Sequence, residues 1–106
     1  MSGRIVIVGY QPKLGKEKEL DELTRKHYDL LKNAGLVSDR IPIIMKAKNG
    51  TIIEVFEWKS AAAIEQAHTH PVVLKLWEEY AAVCEYVPVS TLEEIGSLFS
   101  EFTPFE

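Results

Sequence analysis

One acid and three histidines, set among aromatic residues, are the side chains of this chain best suited to chemistry. Glu54 sits in the middle of Thr51-Ile-Ile-Glu-Val-Phe-Glu-Trp58, a run whose other members are mostly β-branched or aromatic. A carboxylate in such company either finds a cationic partner or holds a raised pKa. The second environment is what a general base needs to deprotonate a phenolic or 1,3-dicarbonyl substrate. The first would be an ion pair with Arg4 or Arg40, possible within the chain or across a dimer. His68 and His70 stand two apart and cannot share a face of one regular helix. The break at Pro71 would let them converge, with His27 as a third nitrogen for a metal. No carboxylate stands at a recognised ligand spacing beside them. The expectation is therefore no metal, with core or capping histidines; His70, just before Pro71, reads as a cap or loop residue. Trp58, Trp77, Tyr80, Tyr10 and Phe56 lie at helical and strand spacings, either as walls of a pocket for a flat aromatic ligand or as plain core.

Strands and helices must bring these residues together. Arg4-Ile-Val-Ile-Val-Gly-Tyr10 is a β-branched run ended by Gln11-Pro12 and reads as a strand covered on both faces. From beyond Gly15 to Ala34 the spacing predicts a helix that stops at Gly35 and carries Leu20, Leu23, His27, Leu30, Leu31 and Ala34 on one stripe. Asn49-Gly50 lies between two β-rich runs, the signature of a two-residue type I′ hairpin. That loop would set Lys48 opposite Thr51, Met45 opposite Glu54 and Ile43 opposite Phe56. Ser60 is suited to cap a helix over Ala61 to His68, and Pro71 to begin a second one running to about Cys84. Tyr86-Val-Pro-Val89 reads as a last, edge strand. Thr91-Leu-Glu-Glu94 resembles a capping box opening a short helix. Phe99, Phe102 and Phe105 then recur at steps of three in a tail that is expected to dock on an apolar surface, either of its own domain or of a partner copy.

The order β-α-β-β-α-β is the split βαβ, ferredoxin-like arrangement, an α+β class with an antiparallel sheet. One domain spanning 1–106, with a tail from about 91, suits the length of 106 residues and the 46% hydrophobic content. Helices cover one face of such a sheet, so a second apolar face predicts a two-fold homodimer. A net charge of −4 with no basic run argues against nucleic acid or an anionic membrane as partner. The lone Cys84 excludes an internal disulfide and any CxxC motif. There is no phosphate loop, Ser-His-Asp or Cys-His arrangement, or nucleotide fingerprint, and no cofactor is expected. The apolar run Ile5 to Val8 is too short for a signal peptide or a membrane span, so a cytoplasmic location is expected.

Glu57-Trp-Lys-Ser60, His68-Thr-His-Pro71 and Leu76-Trp77 resemble the dimeric α/β-barrel superfamily, best known for its antibiotic-biosynthesis monooxygenase-like domains. The resemblance is strongest to small bacterial members of unassigned function and covers nearly the whole chain. It implies two protomers pairing their sheets face to face. The superfamily includes cofactor-free oxygenases, haem enzymes, isomerases and plain binding proteins, so the fold alone does not choose among them. His68 matches the helical histidine that handles substrate or haem in some members, and Trp77 is a looser match. The asparagine some members carry on the first strand has no counterpart in Ile5-Val-Ile-Val8, which speaks against haem. The expectation is a small-molecule site, used for cofactor-independent monooxygenation or isomerisation of an aromatic or polyketide-like compound. His68 and Glu54 would be catalytic, and Trp77, Tyr80, Trp58, His70 and His27 would contact the ligand. The alternative is a non-catalytic dimeric ligand-binding or scaffold module.

Overall fold

Alternation of apolar residues along the β-rich runs gives the sheet two faces, and the helices cover one of them. A computed structural model describes residues 2–105. In it strand β1 (Arg4–Pro12) leads to helix α1 (Glu17–Asn33), then to β2 (Ile43–Lys46) and β3 (Ile52–Trp58). Helices α2 (Ala61–Ala67) and α3 (Pro71–Val83) follow, then β4 (Cys84–Val87), two 3₁₀ turns (Val89–Thr91 and Glu93–Gly96) and the short β5 (Thr103–Pro104). Among the described residues the strands form one antiparallel sheet in the order β4-β1-β3-β2-β5. The class is α+β, compatible with a ferredoxin-like arrangement to which a fifth strand has been added at the β2 edge. No helix among the described residues is long and apolar enough to cross a membrane.

Local chemistry sets the helix boundaries. Glu17 and Glu19 lie in the first turn of α1 and Lys32 in its last, complementing the helix dipole. Gly35 ends it at φ 78°, a left-handed conformation that a side chain would disfavour. The Ser60 hydroxyl caps α2 by accepting from the Ala63 amide. Pro71 opens α3, and the His70 ring caps it by accepting from the Val72 amide through Nδ1. α1 buries Leu20, Leu23, Thr24, His27 and Leu31, and α3 buries Val73, Leu76, Tyr80 and Val83. These meet Tyr10, Ile52, Phe56 and Trp58 from the sheet.

The hairpin differs from its expected register by one residue. Ala47 pairs with Thr51 around a three-residue loop, so Lys46 faces Ile52 and Ile44, not Met45, faces Glu54. A type I′ turn would need positive φ at Asn49 as well as at Gly50. Only Gly50 has it, at 91°, while the Asn49 side chain accepts from the Thr51 amide. The slip turns β2 over, because side chains alternate with period two. Ile44 and Lys46 join the helix-covered face; Ile43 and Met45 join the other.

That second face is partly covered by the chain's own end. Leu92, Val89 and Phe102 pack on Ala47, Ile53 and Met45. β5 then pairs with β2, and Phe105 reaches round to the helix side, where it meets Ile44 and lies under Arg25 and Lys46. Phe99 takes no part in this docking and is 79% exposed. The expected capping box does not form. Thr91 donates to the Pro88 carbonyl, Glu94 accepts from the Lys48 amide, and the segment is 3₁₀ rather than an α-helix. The last strand also starts earlier than expected, at Cys84 rather than Tyr86, and Pro88 follows its end on the outer edge of the sheet. Ile7, Val55 and Ile43 remain as a row across three strands of the open face. Ile7 and Ile43 are 57% and 62% exposed, and the neighbouring Ile5 is 58% exposed. A chain ending at Ser97 loses both half-buried phenylalanines, worth about 2 kcal/mol together, and should melt roughly 10 °C lower by calorimetry. An unchanged melting temperature would mean that the tail contributes nothing to stability.

Candidate functional site

Three polar side chains from three elements meet beneath an apolar cavity. Glu54 points from the middle of β3 to the helix side and is fully buried. The Tyr10 hydroxyl, next to it on β1, donates to Oε1 at 2.8 Å. His27, from the buried stripe of α1, places Nδ1 3.0 Å from Oε1 and 3.2 Å from Oε2. Burying a carboxylate without partners would be prohibitive, and two donors converging on it offset that cost. Within the chain, the ion pair with Arg4 or Arg40 is not formed. Arg40 pairs with Glu57, and the Arg4 guanidinium donates to the Gly3 carbonyl. Both arginines lie toward the end of the sheet near Trp58, away from the middle of β3 where Glu54 sits.

A carboxylate that accepts from His27 fixes the proton on Nδ1 and leaves Nε2 as the ring nitrogen open to a ligand. Aromatic rings hold the imidazole in place. Phe56 meets it edge-on at 5.5 Å, Tyr80 at 5.4 Å and Tyr10 at 6.4 Å. Tyr80 in turn stacks on Tyr10 at 4.7 Å, and its hydroxyl lies 3.5 Å from that of Thr24. Burial, with the Glu54 charge adding to it, pushes the Tyr10 phenol well above its usual range. Burial does the same to Tyr80, and raises Tyr86 to about 12 and the Cys84 thiol to about 11.

The cavity above this cluster has a volume of about 390 Å³ and is lined by Val6, Val8, Tyr10, His27, Phe56, Trp58, Trp77 and Tyr86. It lies between the sheet and the helices, in the size range of small-molecule sites, with mostly apolar walls and the His27 ring among them. A larger groove of about 480 Å³ runs past Lys32, Asp39, Glu57 and Lys59, and all of these charges but Lys59 are already engaged. Lys32 pairs there with Asp39, and Glu57 with Arg40.

Of the residues singled out from sequence, Tyr10, His27, Phe56, Trp58 and Trp77 line the cavity, and Glu54 anchors it from behind. Tyr80 is fully buried behind Tyr10 and His27 and does not reach the cavity. His68 is exposed; its Nδ1 lies 2.9 Å from the Ile64 carbonyl, and its ring rests edge-on against Trp77 at 5.4 Å. It therefore touches the cavity wall from outside. His70 is occupied in capping α3. The three histidines do not converge, and among the described residues no group of three His, Cys, Asp or Glu side chains is placed to hold a metal. Tyr86 was not singled out, although it stands beside Tyr10 in the sheet register and shares its face.

Comparison with known proteins leaves the site to be interpreted from its own geometry: no family model, no curated protein and no solved structure matches the chain.

The raised phenols have a consequence at high pH. Well below pH 10.0 Tyr10 and Tyr80 are neutral whether the chain is folded or not. Above it the unfolded chain releases protons that the folded chain keeps, so stability falls as pH rises. Urea unfolding followed from neutral pH to beyond pH 10 should show this fall. Tyr10→Phe should lower stability at neutral pH by about 1–3 kcal/mol, because Glu54 loses a donor, and should make the alkaline fall shallower. A variant as stable as the parent at neutral pH would mean that the Tyr10–Glu54 bond is not part of what holds the site.

Proposed function

We propose that this chain is a homodimeric small-molecule-binding protein of the dimeric α/β-barrel type, which acts on an aromatic or polyketide-like compound by cofactor-independent monooxygenation or isomerisation. The observation that carries this reading is the His27 ring, held at Nδ1 by buried Glu54 and set in the wall of an otherwise apolar cavity. Nε2 takes a proton from an acidic O–H or C–H of the bound compound, and the negative charge spreads through its conjugated rings. Return of the proton at another carbon gives an isomer. With dioxygen as co-reactant, an activated CH₂ becomes a carbonyl and the second oxygen atom leaves as water. His27 is thus the catalytic base. Glu54 is a positioning residue that fixes its tautomer, as a carboxylate does behind many catalytic or metal-bound histidines. Trp58 and Trp77 form walls, with His68 supporting Trp77 from outside.

The proton-transfer step is common to both reactions and can be read without knowing the natural substrate. The protein, with no added cofactor, should accelerate hydrogen–deuterium exchange at the activated CH₂ of 2-tetralone, followed by NMR. His27→Gln should slow that exchange by about 100-fold or more, and Glu54→Gln by roughly tenfold. Exchange no faster than in buffer, with 2-tetralone still bound, would favour a non-catalytic ligand-binding module.

The dimer reading rests on the Ile7–Val55–Ile43 row and Ile5, which leave apolar area on the open face that the tail does not reach. A second copy related by a two-fold axis would cover this uncharged row with its own equivalent. Sedimentation should report a dimer at micromolar concentration, and Ile7→Lys should give a folded monomer. A parent chain that sediments as a monomer would sink this part of the reading.

A further inference from the structure

The cavity has an acceptor at its base and no permanent cation in its lining. Its eight lining residues include no lysine or arginine, and the Tyr10 hydroxyl that could have served a ligand is already donated to Glu54. The charge nearest the ligand position is the Glu54 carboxylate, directly behind the His27 ring. If His27 is neutral, the pair carries a net negative charge. If it is protonated, Glu54 cancels its charge. In neither state does an anion entering the cavity meet an unbalanced positive group, and it must still give up its hydration among Val6, Val8, Phe56 and the two tryptophans.

We infer that Glu54 makes this site a charge filter, which selects uncharged planar compounds bearing a hydroxyl or N–H donor and rejects carboxylates and phosphates built on the same rings. The inference rests on the cavity being the binding site, as proposed above, and names the class of compound that it takes. The donor of the ligand meets Nε2 while its rings lie against Trp58 and Trp77. An acid of the same shape faces an acceptor backed by a carboxylate, and the mismatch is electrostatic rather than steric.

Isothermal titration calorimetry at neutral pH with three probes separates shape from charge. 2-Naphthol and 2-naphthamide are uncharged donors, and 2-naphthoate has the shape of the amide but is an anion. The expected result is that the naphthol and the amide bind, and that naphthoate binds at least about tenfold more weakly than the amide. Glu54→Gln, checked for folding by circular dichroism, should narrow that ratio. The ratio for the parent protein is decisive by itself if the variant does not fold. Naphthoate binding as tightly as the amide would overturn the charge filter and leave the site standing. Failure of all three probes to bind would remove the site, and the filter with it.

Discussion

The arrangement of the site follows from one buried carboxylate. Glu54 occupies a sheet position whose neighbours on the same face, Ile52, Phe56 and Trp58, are all buried, and it is itself fully removed from water. Such a group is tolerable only if other polar groups are brought to it, and they come from β1 and α1 rather than from β3 itself. The Tyr10–Glu54–His27 contacts thus tie the first strand, the first helix and the central hairpin together at one point. Aromatic rings close around it, and Tyr80 brings in α3 through its stack on Tyr10. The cavity lies where this packing stops short, between the cluster and the Trp58 and Trp77 side chains.

This geometry separates two roles that one residue could have filled. A mid-strand acid exposed to a ligand would be a base in its own right. Here both oxygens are engaged by His27, and one also by Tyr10, so the group left to face the cavity is the imidazole. Burial that keeps Tyr10 protonated also keeps it a donor over the whole ordinary pH range. The polar cluster is consequently held from three elements at once, β1, α1 and β3. Across the cavity stands half-buried Trp77, which rests on the exposed His68.

Much of the fold was legible in the sequence because it depends on local chemistry. The Leu20–Leu23–His27–Leu31 stripe, the Ser60 cap, the Pro71 helix start and the Gly35 stop each follow from the residues at hand and their near neighbours. The hairpin register was not legible, because Asn49-Gly50 suits either a two-residue loop or a three-residue loop with a left-handed glycine. One residue of difference moved Met45 and Ile43 to the opposite face. The short helix expected at Thr91 failed because Glu94 found the Lys48 amide, across the fold, instead of capping its own turn.

The site was half legible. The sequence shows two polar residues, His27 and Glu54, each on an apolar face. Their pairing depends on where α1 lies over β3, a tertiary fact with no local signature. Two buried polar groups that lack other partners are nevertheless each other's natural solution. That rule would have connected them and displaced Arg4 and Arg40 as the expected partners of Glu54. His68 drew attention through its place in a motif, and in the structure it is a neighbour of the cavity wall.

The central claim is that Glu54 holds His27 by Nδ1 so that Nε2 faces the cavity as an acceptor. Long-range proton–nitrogen correlation NMR on protein labelled at histidine nitrogens tests this directly. The account predicts that His27 carries its ring proton on Nδ1, and that 2-naphthol shifts its Nε2 resonance strongly while those of His70 stay in place. A His27 ring protonated on Nε2, or one whose signals ignore the ligand while those of His68 move, would contradict it.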